Sequence, residues 1–479
     1  MTTTEAYAGT RARDARPEVV ALADAFATRF PEIAIRVPSA ATAPYRYDRG
    51  TAPRVESPIS DDEHGPLVAL PGTPEQVQDV VRLAAEFGVS VVTRGAGSGL
   101  SGGASARPDQ LVVSTERLNR ILEVAPLDEV AVVEPGVINA ALNEHVAPFG
   151  LFYAPDPASF EISSIGGNIA TNAGGLRCAK YGVTRESVLG LDVVLADGSL
   201  VSVGHRSIKG VTGLDLTSLF VGSEGVLGIV VRATVRLRPI PVARQTVTAF
   251  FESTPAGASG LAAITRSSVR PSVVEFFDEP SLTGIDAFSG SGLRRRGASL
   301  ILVELDGYGI AEQAHDLTVA LEAVGGTVRV ESDEDGAALW ELRRHGRGFT
   351  EPQWFVGEDI AVPKSRLAEV YARFAEVEQR YDVAISAVSH AGDGNLHPAI
   401  TRPIGDADPA DRPAELDEAA TELVRIALGV GGTVSGEHGV GTVKLDWAAL
   451  ELSDRNRAAQ RALKAALDPT GLFNPGKAI

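Results

Sequence analysis

Arg94-Gly95-Ala96-Gly97-Ser98-Gly99-Leu100-Ser101-Gly102-Gly103 directly follows a short apolar run, Val89 to Thr93. Glycines clustered after a strand let backbone N–H groups approach an anion closely. The stretch has the G-x-G look of a dinucleotide fingerprint. A Rossmann loop, however, opens straight into an amphipathic helix, with an acid about 20 residues on. Here Ser101 to Pro108 is small and polar, and another strand follows. The Rossmann fold is therefore disfavoured. A phosphate-cradling loop and a flexible surface loop both stay open on this segment alone.

The flanks supply the layer. Leu67-Val68-Ala69-Leu70 reads as a buried strand. Thr73-Pro74-Glu75-Gln76 starts a helix, with Thr73 as cap, Pro74 in the first turn and Gln76 completing a capping box. Val77, Val80, Val81 and Ala84 form its apolar face, and Gly88 stops it. Strand, helix and strand in this order predict an α/β layer. Further strands are expected at Leu111–Ser114, Val130–Val133, Val188–Leu195 and Ser199–Val203, the last two joined at Asp197-Gly198. Val226 to Leu237 reads as a strand pair, and Pro239 and Pro241 mark a boundary near 243. Upstream, Val19, Val20, Leu22, Ala23 and Phe26 give a helical stripe before a breaker-rich stretch, Pro38 to Pro58. Downstream, residues 244–435 alternate strand-like runs (Leu300–Leu305, Thr327–Val330, Ala384–Val388) with amphipathic helices, 414–428 the clearest. The tail is helical from Ser453 to Leu467.

Composition narrows the function. The chain has 479 residues and a net charge of −18, from 44 basic and 62 acidic side chains. Such a surface repels nucleic acid and anionic headgroups. The single cysteine, Cys178, allows no intrachain disulfide and no cysteine-ligated iron–sulfur cluster. A second electron carrier would therefore lie outside the chain. There is no secretion signal and no transmembrane run, so a cytoplasmic protein is expected.

Two more glycine-rich stretches follow: Ser163-Ser164-Ile165-Gly166-Gly167-Asn168-Ile169-Ala170-Thr171-Asn172-Ala173-Gly174-Gly175, and Gly222-Ser223-Glu224-Gly225 with Gly228-Ile229. Three such stretches suggest one extended ligand laid across several loops. At this point the chain resembles the vanillyl-alcohol oxidase / para-cresol methylhydroxylase (PCMH) flavoproteins, and within them the FAD-linked D-lactate, glycolate and D-2-hydroxyglutarate dehydrogenases. The resemblance implies an α+β protein in three parts: an N-terminal extension (1–63), a two-subdomain PCMH-type FAD-binding domain (64–243), and a substrate or cap domain (244–479). The last would carry an antiparallel sheet and a helical tail packing back on the FAD domain. It further implies FAD contacts from Arg94, Gly95, Ala96, Gly97, Ser98, Gly99, Leu100 and Ser101, which hold the pyrophosphate. Pro155, Ser164, Gly166, Gly167, Asn168, Asn172, Gly174, Gly175, Gly222, Glu224, Gly225, Gly228, Ile229 and Asn474 would complete the site. Ser98 stands where covalent relatives often carry a histidine, so non-covalent FAD is implied.

Two C-terminal motifs gather histidines: His390-Ala391-Gly392-Asp393-Gly394-Asn395-Leu396-His397 and Gly436-Glu437-His438-Gly439-Val440-Gly441. Two imidazoles and a carboxylate can form a facial metal triad. On spacing alone, core or solvated histidines are the competing reading. The resemblance implies a divalent metal, zinc or manganese, on His390, His397 and Glu437. It makes His438 the base for the substrate hydroxyl, turns Asn395 toward flavin and substrate, and assigns the substrate carboxylate to Arg343, with Arg347 one helical turn later. Arg344 is expected on a solvated face, and Lys444 is a further residue that could face the site. Gly357 stands near where the hydroxyglutarate branch carries a lysine, which tilts the reading toward a monocarboxylate. The implied reaction oxidises a small D-2-hydroxy acid to the 2-oxo acid, with hydride to flavin N5 and electrons to a quinone, cytochrome or electron-transfer protein. Peripheral membrane attachment through that acceptor and a homodimer are compatible with this reading. Competing readings are a flavin-binding subunit of a glycolate oxidase-type complex, an alkyl-lipid synthase-like transferase without net redox change, and an oxidase using O₂ directly without a metal.

Overall fold

The computed structural model describes residues 17–52, 64–345 and 348–479. Its first sheet has four strands in the order Ala34–Arg36, Leu67–Leu70, Leu111–Ser114, Val91–Arg94; the last three run parallel. The two central strands are buried along their whole length, which explains their unbroken apolar sequence. The helix Pro74–Glu86 covers them with Val77, Val80, Val81 and Ala84. Thr73 caps this helix by accepting the Gln76 N–H at 3.2 Å. Gln76 does not close the expected box: its side chain accepts the N–H of Gly72 at 2.7 Å, one residue further out. Ala34–Arg36 adds an edge strand from the N-terminal region, where the sequence reading expected only a helix and a turn-rich approach. Val19, Leu22, Ala23 and Phe26 on the helix Pro17–Arg29 join the same core as Leu472 and Phe473 from the C-terminus.

A second, antiparallel sheet runs Ile121–Ala125, Val130–Val133, Ile229–Arg236, Val188–Val194, Leu200–Gly204. The segment expected to be a strand pair, Val226 to Leu237, is instead one strand at the centre of this sheet. Its buried positions Ile229, Val231, Ala233 and Val235 alternate without a break, so nothing between them could turn the chain. Gly198 (φ +75°) makes the expected hairpin turn.

The third sheet is antiparallel throughout: Thr327–Val330, Arg244–Phe251, Ser299–Asp306, Val273–Phe277, Ala384–His390, Asn395–Pro403, Gln353–Gly357, with Ile360–Ala361 also beside Asn395–Pro403. One face packs on the helices Thr254–Arg266, Ile310–Glu322, Leu367–Tyr381 and Glu415–Gly429 through the largest apolar core. The opposite face carries the helices Glu279–Ser289 and Asp333–His345 through Leu282, Ile285, Leu339 and Trp340. The last helix, Asp454–Leu467, ends at Asp468, whose carboxylate accepts the N–H groups of Leu472 and Phe473 at 2.8 Å. That turn returns Phe473 to a bridge with Val91 in the first sheet. Among the described residues, no helix is long and apolar enough to cross a membrane.

Candidate active site

The three glycine-rich stretches line one cavity of about 650 Å³. Gly95, Ala96, Gly97, Ser98, Gly99, Leu100 and Ser101 form one wall. Gly166, Gly167, Asn168 and Gly174 form a second, and Glu224, Gly225 and Gly228 a third. The walls need glycine because the backbone passes close to other groups. A Cβ on Gly95 would sit 2.4 Å from the Ser164 hydroxyl, and one on Gly166 would sit 2.5 Å from Pro135. The buried Thr93 hydroxyl and the Asn168 amide nitrogen have no protein partner, and both residues line this cavity. An extended polar cofactor fits such a lining.

Other residues expected here stand behind the wall. The Arg94 guanidinium donates to the carbonyls of Tyr47 and Ala104 (2.8 and 3.1 Å) and braces the loop from beneath. Ser164 caps the short helix Ile165–Thr171 by accepting the Gly167 N–H at 3.2 Å. The Pro155 carbonyl accepts from Asn139 at 2.9 Å, and Asn172 (φ +52°) accepts the Arg185 N–H at 2.9 Å. Asn474 donates to the Glu224 carbonyl at 2.7 Å. Gly175, Gly222 and Ile229 are likewise absent from the cavity lining.

Next to this cavity lies the histidine cluster. The strands Ala384–His390 and Asn395–Pro403 form a hairpin in which His390 pairs with Asn395 and Val388 with His397. Alternation therefore puts both imidazoles on one sheet face. The ring centroids are 5.0 Å apart. Glu437 reaches them from the Gly436–Gly441 segment. Its Oε1 lies 3.4 Å from His397 Nε2 and 3.8 Å from His390 Nε2. One ligand atom from each of the three residues falls within 4.8 Å of the others.

Buried carboxylates hold this arrangement. Glu275, fully buried, accepts from His390 Nδ1 at 2.5 Å and from Arg343 Nε. Burial pushes the Glu275 pKa up, but Arg343 and His390 outweigh it and bring it down to about 2. With Nδ1 engaged, His390 presents Nε2 toward Glu437. Burial pushes the His390 pKa down, yet Glu275 and Glu437 raise it to about 10. At His397 burial wins, and its pKa falls to about 3. That ring is neutral at pH 7, and its buried Nε2 has no hydrogen-bond partner. A neutral imidazole with an unsatisfied lone pair beside a carboxylate is what a divalent cation requires.

Asp359 organises the second motif. It is fully buried and accepts the N–H groups of Glu437 (3.0 Å) and His438 (2.9 Å) and the hydroxyl of Ser435 (2.8 Å). It also accepts the Asn395 amide at 2.7 Å. Burial pushes its pKa up, but His438, Lys444 and His397 hold it far below the usual carboxylate range. Asp359, His397 and His438 also lie close enough to share an ion. The four hydrogen bonds already on Asp359 favour His390, His397 and Glu437 as the ligand set. Across the motif, Glu224 accepts the Val440 and Gly441 N–H groups, each at 2.8 Å. Ser101 donates to the His438 carbonyl at 3.1 Å. The glycine loop and the histidine motif are thus one hydrogen-bonded unit, and Glu437 and His438 both line the cavity.

Three expected roles meet a different geometry. Arg343 is buried against Glu275, behind His390, while Arg344 and His345 line the cavity. The helix Asp333–His345 packs on the sheet through Leu339, Trp340 and Arg343, which turns the next two residues to the opening. Asn395 spends its amide N–H groups on Asp359 and the Ile360 carbonyl (2.7 and 3.0 Å) and is absent from the cavity lining. Lys444 points inward, donating to the Asp359 and Val434 carbonyls at 2.8 and 3.0 Å. Arg347 lies outside the described residues. Sequence reading missed Glu275 and Asp359. Glu275 left a signal: one acid inside the apolar strand Val273-Val274-Glu275-Phe276-Phe277. Asp359 left none that ties it to the histidine motif, which lies 79 residues on.

Residues 240–478 match the family described as FAD linked oxidases, C-terminal domain, and residues 66–204 match the FAD binding domain. The glycolate oxidase subunit GlcD of Bacillus subtilis is 38% identical over 417 residues, covering 86% of this chain and 88% of its own. The D-lactate dehydrogenase of Archaeoglobus fulgidus is 32% identical over 438 residues, covering 91% and 95%. The p-cresol methylhydroxylase structure superposes with a TM-score of 0.76 over 97% of this chain and 98% of its own, at 18% identity, a likeness of fold. The chain therefore belongs to the FAD-linked oxidases, as a flavoprotein oxidoreductase of the glycolate oxidase and D-lactate dehydrogenase type.

Proposed function

We propose that this protein oxidises a D-2-hydroxy acid to the 2-oxo acid with non-covalent FAD and a resident divalent metal, zinc or manganese, and passes the electrons to an external acceptor. The observation that carries the reading is one adjacency. Glu437, which closes the His390–His397–Glu437 group, and the next residue, His438, both line the cavity formed by the glycine loops.

FAD supplies the hydride acceptor, a chemistry no side chain offers. The metal supplies Lewis acidity that makes a hydroxyl easier to deprotonate, with no change of its own redox state. The rest falls to the chain. His390, His397 and Glu437 hold the ion, and Glu275 fixes the tautomer and orientation of His390. His438 takes the substrate's hydroxyl proton at its imidazole. Its backbone is pinned by Asp359 and Ser101, so the ring faces the cavity without a conformational search. Arg344, on the cavity wall, provides the cation for the substrate carboxylate, and Arg343 serves to position His390 through Glu275. We take residues 64–243 as the FAD-binding part and 244–479 as the part that brings the metal ligands.

Purified protein should be yellow, release intact FAD on acid precipitation and bleach anaerobically with a D-2-hydroxy acid. Bleaching by L-enantiomers alone would refute the assignment. A second reading, a flavin-binding subunit of a larger oxidase, is favoured by the name of the 38% identical relative, a glycolate oxidase subunit. It predicts bleaching by substrate but no turnover until a partner is added.

A further inference from the structure

Asp48 belongs to the breaker-rich stretch Pro38 to Pro58, ahead of both matched family segments, yet it lines the glycine-walled cavity. The chain around it is laced onto the glycine loop. The N–H groups of Arg49 and Gly50 donate to the carbonyls of Gly97 and Gly99, each at 3.1 Å. Gly50 passes so close to the loop that an added Cβ would lie 2.0 Å from the Leu100 carbonyl oxygen. The Asp48 N–H donates to the Ser105 hydroxyl at 3.0 Å. Main chain on both sides thus holds Asp48 against the loop, and the residue is only 1% exposed.

Its two carboxylate oxygens are treated differently. Oδ1 accepts the N–H and the hydroxyl of Thr51, at 3.0 and 2.8 Å. Oδ2 is buried and accepts nothing from the described residues. It lies beside Gly99, where an added Cβ would sit 3.5 Å from it. Arg94 and Lys477 do not pair with it: Arg94 donates to the carbonyls of Tyr47 and Ala104, and Lys477 to those of Gly103 and Ser105. A buried carboxylate oxygen without a donor is costly, because nothing replaces the water it has lost. The occupant of the cavity is the remaining source of a donor. A diphosphate offers acceptors only and repels an acid. FAD does carry hydroxyls, on the ribityl chain next to the isoalloxazine and on the ribose beyond the diphosphate. The Asp48 end of the cavity is tied to the histidine motif. Thr51 packs at Gly102, where an added Cβ would lie 2.2 Å from the Thr442 hydroxyl and 3.3 Å from the Thr51 methyl. Ser101 donates to the carbonyls of His438 and Gly439 at 3.1 and 3.0 Å.

We propose that Asp48 Oδ2 accepts a hydrogen bond from a ribityl hydroxyl of FAD, so that the segment ahead of the FAD-binding domain, and not the glycine loops alone, sets the affinity for the cofactor. The proposal rests on the reading in which His438 acts on a hydroxy acid beside the isoalloxazine, because that reading puts the ribityl chain at this end of the cavity. A hydroxyl donating to a carboxylate makes a charge-assisted bond, stronger than a neutral one. Asp48 is already oriented for it: Thr51 holds Oδ1, and the Arg49 and Gly50 N–H groups fix the backbone.

The test is equilibrium binding to the full-length protein stripped of flavin, read by flavin fluorescence. The ligands are FAD, FAD analogues lacking one ribityl hydroxyl at a time, and analogues lacking a ribose hydroxyl. Asp48→Asn should weaken FAD binding about 10–100-fold, the range for a hydrogen bond to a charged group. One deoxyribityl analogue should bind the wild type about tenfold or more weaker than FAD, and Asp48→Asn should discriminate against that analogue about tenfold less. The deoxyribose analogues should be discriminated against equally by both proteins. Each ratio comes from one sample, so partial misfolding does not move it, and the analogue series on the wild type needs no variant. Unchanged FAD affinity in Asp48→Asn would overturn the proposal. So would wild-type affinities that are equal for FAD and every deoxyribityl analogue, or a loss of discrimination confined to a deoxyribose analogue. Anaerobic addition of a D-2-hydroxy acid to the FAD-loaded wild type keeps the two readings apart: no bleaching there would overturn the hydroxy-acid reading, while the binding ratios still decide the role of Asp48.

Discussion

His438→Ala is expected to slow flavin reduction by about 10²–10⁴-fold, the range for loss of a positioned general base, while FAD and metal contents stay at wild-type levels. The reason is the division of labour inside one short segment. The His438 ring stacks on His397 with centroids 5.5 Å apart and planes 19° from parallel, yet it is not needed to complete the His390–His397–Glu437 group. Its backbone contacts, the N–H to Asp359 and the carbonyl from Ser101, survive the substitution. The variant thus keeps the fold of the segment and both cofactor sites but has no acceptor for the hydroxyl proton. Stopped-flow reduction together with metal and flavin analysis on the same sample checks this. Reduction at the wild-type rate would remove His438 from the chemistry.

Glu275→Gln carries the second large effect, and it falls on stability and metal affinity together. Glu275 is wholly buried between Arg343 and the ring of His390. Removing its charge leaves the Arg343 guanidinium buried and uncompensated, a loss of about 3–5 kcal/mol. It also loosens the orienting hydrogen bond on His390, for which about 10–100-fold in metal affinity is expected. The sign of the pH dependence follows from its depressed folded pKa of about 2. The wild-type contribution is complete above the ordinary Glu range, at roughly pH 5 and higher, and is lost as pH falls toward 2. Urea unfolding at pH 7 and pH 4, with metal titration of the folded protein, separates the two effects. A variant as stable as wild type at pH 7 would show that the Arg343–Glu275–His390 chain carries no net stabilisation.

Much of this architecture was legible in local sequence because the signals were self-contained. Leu67-Val68-Ala69-Leu70 is apolar throughout because both faces of a parallel strand are covered, and Thr73-Pro74 marks a helix start by its own capping chemistry. The strand at Ile229–Arg236 was read as a pair because the expected segment, Val226 to Leu237, is long, although its unbroken alternation from Ile229 to Val235 fits one strand. The edge strand Ala34–Arg36 gains its stability from pairing with Leu67–Leu70, which no short window contains.

In the site, the ligand-type residues announced themselves by chemistry: paired histidines and an acid set among glycines. What supports them did not. Glu275 acts from another strand and Asp359 from the connection between the strands Gln353–Gly357 and Ile360–Ala361, 115 and 79 residues from the histidines they hold. Sheet register pairs Glu275 with His390, and the fold of the connection brings Asp359 to His438. Arg343 shows the same limit from the other side. Its charge was visible, but which residue of Arg343-Arg344-His345 faces the cavity depends on how Leu339 and Trp340 seat the helix.

The most direct test of the metal-and-flavin account is anaerobic bleaching of the yellow holoenzyme by a D-2-hydroxy acid before and after removal of divalent metal with a strong chelator, FAD remaining bound. The account predicts fast bleaching of the metal-replete protein, little or none after chelation, and recovery on adding zinc or manganese. Equal bleaching rates in the chelated and replete samples would contradict it.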